Sequence, residues 1–188
     1  MPTPSEADCL ARTFKDASDG AAMKSRELVL MLLAHTHEPF SRRQFSPGHI
    51  TCTGLVLSPD GQRLLLVHHR RLDRWLLPGG HVEPEDISLR DAARREVVEE
   101  TGVLLAPEYA GALAGIDVHA IPPKGNEPFH LHHDFLFLLR AQSEDCRISH
   151  EARAVAWCAP AEFERYAVPD SVRRAWLRVT SDCVHQFG

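Results

Sequence analysis

The chain has 188 residues, enough for one domain with a well-buried core but not for two ordinary ones. A formal charge of −5 excludes a bulk attraction for nucleic acid polymers or anionic membranes, which need a basic surface. The five cysteines, Cys9, Cys52, Cys146, Cys158 and Cys183, are scattered and form no CxxC pair, a usage that fits a reducing cytoplasm.

Residues 1–20 mix Pro, Ser, Asp and Gly with little periodicity and show no basic-then-apolar leader, so a poorly ordered terminus is expected there. Residues 22–35 lack breakers and are rich in helix formers, which predicts an amphipathic helix, and the chain to residue 48 serves as a connector. The apolar run at 28–34 is far too short to span a bilayer. The main domain is expected over 49–188. Residues 50–57 and 63–69 are rich in Val, Leu and Thr and flank the turn sequence Ser58-Pro59-Asp60-Gly61, predicting a β-hairpin. A loop with Arg70, Arg71 and Arg74 leads into Leu77-Pro78-Gly79-Gly80 and then a helix over 88–101. Strands are expected near 114–121, 130–139 and 152–158, followed by helices over 160–166 and 170–185. Strands interleaved with a few helices imply an α/β sandwich.

The helix over 88–101 has both ends written in its residues: Ser88 with Asp91 resembles a capping box, and Gly102 sits where a C-terminal glycine belongs. On a helical wheel Leu89, Ala92 and Ala93 share a face that continues into Glu96, Glu99 and Glu100. Glutamates at these spacings repel one another by roughly 0.2–0.5 kcal/mol per pair. The negative end of the helix dipole disfavours each by about another 0.3–1 kcal/mol. Acidic groups placed against both effects on an inward face call for a cation, and a hard ion such as Mg2+ takes carboxylate oxygens readily. Arg94 and Arg95 could instead offset a merely solvated acidic face. The side-chain-free Gly79-Gly80 loop just before the helix favours a site, because backbone there can approach a metal or phosphate closely.

The segment GGHVEPEDISLRDAARREVVEETGV, residues 79–103, resembles the Nudix box, G-x5-E-x7-R-E-U-x-E-E-x-G-U, where U is bulky and aliphatic. Its second half, from Arg95 to Val103, matches without gaps. Counting back from Arg95 puts Ile87 where the first glutamate belongs and His81 where the glycine belongs, so one residue is inserted in the first half, with Asp86 or Glu85 as the stand-in. The resemblance implies a Nudix-like α/β/α sandwich with a mixed sheet, and Mg2+-dependent hydrolysis, with Mn2+ able to substitute, of a nucleoside diphosphate linked to another group X. It assigns Glu96, Glu99, Glu100 and the Gly80 carbonyl to the metal, and gives Arg95 the task of orienting the carboxylates. The general base is open between Glu96 and the loop residues Glu127, Glu144 and Glu151. The expected ligand is a small diphosphate compound, and a homodimer is a common outcome in the family. The disturbed first half also leaves open a binding module on the same fold without turnover, and a diphosphate isomerase stands third.

His130, His132 and Asp134 alternate along a strand and should share one face, opposite Leu131, Phe135 and Phe137. The trio suits a transition metal, a substrate-lining face or plain structure. Arg70 and Arg74, with Arg71, could reach phosphates or stay solvated. Trp75 could stack on a base but reads more simply as core. Cys52, inside a strand, reads as a small buried hydrophobe rather than a nucleophile or an isomerase acid.

Overall fold

The computed structural model describes residues 1–107, 111–150 and 152–185, with side chains through 181. In chain order the elements are α1 (Pro4–Thr13), α2 (Gly20–His35), β1 (Gly48–Leu57), β2 (Leu64–His69), β3 (Arg74–Leu76), β4 (Gly79–His81), α3 (Leu89–Thr101), β5 (Leu113–Ile121), β6 (His130–Arg140), β7 (Ala152–Cys158) and α4 (Asp170–His185). The mixed sheet runs β3-β2-β1-β6-β5, with β4 added to β1 and β7 to β2. Only the β1–β6 pair is parallel among these, aligned from Gly48↔Leu131 to Leu57↔Arg140.

The edge of β1 opposite β6 is divided. Thr51, Cys52 and Thr53 pair with β4, whereas Leu57 pairs with Leu64 of β2. The expected hairpin is present, but its strands separate where β4 takes over the edge.

Strand alternation sorts the two faces. Ile50, Cys52, Phe135 and Phe137 point to the layer of α1, α2 and α3, where Leu89, Ala92 and Ala93 are fully buried. Here Gly54 lets the helix come close, since a Cβ on it would lie 2.3 Å from Val97 Cγ2. On the other face Leu55, Leu57, Leu64, Leu66, Leu136 and Leu138 pack against Trp176 and Val179 of α4. The result is the expected α/β/α sandwich. Within the second face the polar residues His49, Thr51, His132 and Asp134 lie before the apolar ones along β1 and β6.

The expectation of a poorly ordered terminus over 1–20 is corrected by α1. Thr3 accepts the Glu6 amide at 3.1 Å, Pro4 fits the first turn, and Ala7 and Ala11 are wholly buried. Two small residues four apart give too weak an apolar period to show in the sequence. Glu6 also reaches across to α3, its carboxylate accepting the Leu89 amide at 2.9 Å. The expected helix over 160–166 is likewise reduced to a single tight turn, Pro160–Glu162, and ends before Ala167, which takes a positive φ of 48°.

Asp19 caps α2 by accepting the Ala22 amide at 3.0 Å, and it binds α4 through Arg174 at 3.0 Å and Arg178 at 2.9 Å. Arg178 also meets Asp16 at 2.6 Å. Ser18 and Arg178 hold the Asp16 carboxyl down to about 2. Burial pushes Asp19 up, but the Ala22 amide and both guanidiniums more than offset it. Both carboxyls thus lie below their unfolded-chain value, so this stabilisation is complete above about pH 4 and is lost as pH falls through the folded value. Arg178→Met should cost about 2–3 kcal/mol at neutral pH. It should also flatten the dependence of stability on pH between about 4 and 2, as read by urea unfolding across that range.

Candidate active site

The box helix is built as its sequence suggests. Ser88 Oγ accepts the Asp91 amide at 3.1 Å, and Gly102, at φ 63°, ends the helix with its amide on the Val98 carbonyl at 2.8 Å. Glu100 is buried at 6% exposure and its carboxylate accepts the Gly79 amide at 3.0 Å. Glu96 is largely buried, whereas the Glu99 side chain is 59% exposed. The single acidic face expected from the wheel is therefore divided, with Glu96 and Glu100 inward and Glu99 at the rim.

Gly80 faces Glu96 so closely that a Cβ on it would lie 2.7 Å from the carboxylate. No other residue lets the loop backbone lie against this glutamate. Burial pushes the Glu96 carboxyl up, and Arg95 beside it opposes that shift.

Arg95 joins the loop to the helix. Its guanidinium grips both Asp86 oxygens at 2.9 and 3.0 Å, donates to Glu96 at 3.0 Å and Glu99 at 3.1 Å, and reaches the His81 carbonyl at 2.8 Å. One positive charge serves three carboxylates. Asp86, 5% exposed, also accepts the Glu83 amide at 2.8 Å. Ile87 is 81% exposed and takes no part.

Beyond Gly79 and Gly80 lies the polar half-face. Asp134 is buried, accepts Thr51 Oγ1 at 2.9 Å, and has its carboxyl raised by burial, against the pull of His119. His132 sits among His49, His81, His119 and His130, with ring centroids 4.9 to 5.6 Å away. His130, His132 and Asp134 do alternate onto this face, opposite Phe135 and Phe137. The imidazoles that converge with His132, however, are His49 and His81, carried by β1 and β4. Sequence reading missed both. The available signal was the alternation of His49, Thr51 and Thr53 along β1.

The remaining candidates are spread. Arg70 donates to the carbonyls of His150 and Ala152, both at 3.1 Å, and so ties the β2 end to the start of β7. Arg71 pairs with Glu127 at 2.5 Å. Arg74 is exposed on β3, close enough to His119 to bear on its charge. Glu144 is paired with Arg63 at the β1–β2 turn, the end of β1 remote from β4. Glu151 lies outside the described residues. Trp75 packs edge-on to Tyr166 at 4.9 Å against the α4 core. Cys52 is fully buried, which drives its thiol well above the ordinary range, the opposite of an activated nucleophile.

The profile of the NUDIX domain matches residues 48–177. A putative 8-oxo-dGTP diphosphatase from Bacillus subtilis is 31% identical over 121 residues, 64% of this chain and 73% of that protein. A probable DHNTP pyrophosphohydrolase from Lactococcus lactis is also 31% identical over 121 residues, covering 62% and 70% of the two chains. Among solved structures, a MutT protein from Methanosarcina mazei superposes with a TM-score of 0.51 at 24% identity, over 72% of this chain and 95% of that one, and shares the fold. The chain belongs to the NUDIX family. With that membership it stands among the hydrolases that act on diphosphate bonds of nucleotide derivatives.

Asp86→Ala removes the bidentate partner of a guanidinium that is three-quarters buried. A loss of about 2–3 kcal/mol in urea unfolding is expected, larger than for an exposed ion pair.

Proposed function

We propose that the chain is a Mg2+-dependent pyrophosphohydrolase that cleaves a nucleoside diphosphate linked to another group X, with Mn2+ able to replace Mg2+. The observation that carries this reading is the charge imbalance at the box: Asp86, Glu96 and Glu99 share one guanidinium, and Glu100 is buried against the neighbouring loop. The donor set fits a hard divalent ion, with Glu96, Glu99, Glu100 and the Gly80 carbonyl as its ligands. Once bound, such an ion neutralises diphosphate oxygens and activates water for attack on phosphorus.

The chain's own residues supply orientation. Arg95 fixes the Glu96 and Glu99 carboxylates through charge-assisted bonds. Glu100 holds the Gly79 amide, which keeps the glycine loop in place beside Glu96. Asp86 takes over the support of Arg95 that the family pattern gives to a glutamate at the position of Ile87. The occupied Arg95 fork counts against a binding module without turnover, whose motive was the inserted residue. Of the acidic residues considered as general base, Glu96 stands at the box, Glu127 is paired with Arg71 and Glu144 with Arg63 at the β1–β2 turn. The polar half-face at His132, backed by the buried Asp134, and the exposed Arg74 are the surfaces offered to X. The relatives' names, an 8-oxo-dGTP diphosphatase and a DHNTP pyrophosphohydrolase, support a nucleotide-like substrate.

The test is a panel of diphosphate compounds, spanning modified nucleoside triphosphates, nucleotide sugars and dinucleotides, assayed with Mg2+ and Mn2+. Monophosphate release should require either metal. Glu100→Gln should lower turnover at least about 100-fold with an unchanged thermal midpoint. Release that persists in chelator, or in the Glu100→Gln protein, would defeat the reading.

A further inference from the structure

Five imidazoles crowd the polar half-face, with His49, His81, His119 and His130 each within ring-stacking distance of His132. Three of them, His49, His81 and His132, each offer a ring nitrogen within 4.8 Å of the other two. They arrive from three strands. The register opposes His49 to His132 across β1 and β6, and His81 to Thr51 across β4 and β1.

His49 states what the cluster lacks. It is 1% exposed, and its Nδ1 lies 3.1 Å from the Gln44 carbonyl. A carbonyl only accepts, so Nδ1 carries the proton and Nε2 keeps its lone pair. That Nε2 is buried and, among the described residues, has no hydrogen-bond partner. An unsatisfied buried acceptor is costly, and a backbone carbonyl fixing one ring nitrogen while the other faces a metal is the usual second contact of a ligating histidine. Arg42 and Arg71 face the cluster, but Glu83 and Glu127 pair with them.

We propose that His49, His81 and His132 form a three-histidine site for a borderline divalent transition metal, with Zn2+ as the reference ion and the remaining position open to water or a substrate donor atom. Neutral imidazoles suit Zn2+, Co2+ or Ni2+, whereas Mg2+ keeps to oxygen. The glutamate set and the histidine set therefore select different ions. A tetrahedral centre with bonds of about 2.0–2.1 Å places its nitrogens about 3.3 Å apart, so binding draws together ring nitrogens that already lie within 4.8 Å of one another. The His81 backbone is already fixed by the Arg95 bond to its carbonyl. The site stands independently of any turnover at the glutamates.

The test strips the full-length protein with chelator and titrates it with Co2+ alone, following the visible bands of nitrogen-ligated Co2+, and with Zn2+ by calorimetry. One equivalent should bind to the histidines. His132→Asn should weaken that binding more than about 100-fold, beyond what loss of a supporting contact does, and His81→Asn on the short strand β4 should do the same. Metal-free thermal unfolding verifies that each variant folds. The double variant Glu96→Gln/Glu100→Gln should keep the Co2+ spectrum while losing Mg2+-dependent hydrolysis, which separates this proposal from the catalytic reading. Absence of binding, a spectrum unchanged in both histidine variants, or a spectrum lost in the glutamate double variant would each overturn it.

Discussion

Everything at the box depends on one planar cation. Arg95 sits between a loop that must stay open to a ligand and a helix end that repels its own carboxylates, and its rigid fork of donors satisfies both sides. A lysine would supply the charge but not the geometry, since its ammonium has three donors on a flexible stem against the five bonds formed here. Because the same guanidinium reaches the His81 carbonyl, the β4 segment and the box helix are positioned as one body. The glycines beside it are then a requirement of closeness: Gly80 has no room for a Cβ against Glu96.

What was legible in the sequence was local. The caps of α3, the ungapped run from Arg95 to Val103 and the turn between β1 and β2 are each specified by residues a few positions apart, and the structure follows them. The first half of the box was harder, because counting along the chain cannot say where an inserted residue bulges. The Arg95 fork answers it, since it closes on Asp86. The histidines were half legible. Alternation put His130, His132 and Asp134 on one face, but which rings converge is set by strand partners far apart in sequence, and those brought His49 and His81. The short strands β3 and β4 and the small-residue contact of α1 carry too little local pattern to be read at all.

The division of β1's edge between β4 and β2 separates two kinds of position along one strand. Leu55 and Leu57 face α4 and serve the core, while His49 and Thr51 lie on the same side of the strand, beyond the apolar contact. On this face, sequence change at His49 and Thr51 alters the polar half-face, whereas change at Leu55 and Leu57 acts on the core. The same split holds on β6 between Asp134 and Leu136.

The contact from Glu6 to the first amide of α3 has a consequence for what counts as this protein's heritable module. The stretch matched by the family profile begins at residue 48, yet the amide that opens the box helix is held by a carboxylate from outside it, and Ala7, Ala11, Val29 and Leu32 cover the same sheet face as that helix. The stretch that defines the family is thus smaller than the unit of folding. Recombining residues 48–177 into another family member would carry the glutamates intact but leave an apolar sheet face bare, so the two N-terminal helices and the domain must travel, and drift, together.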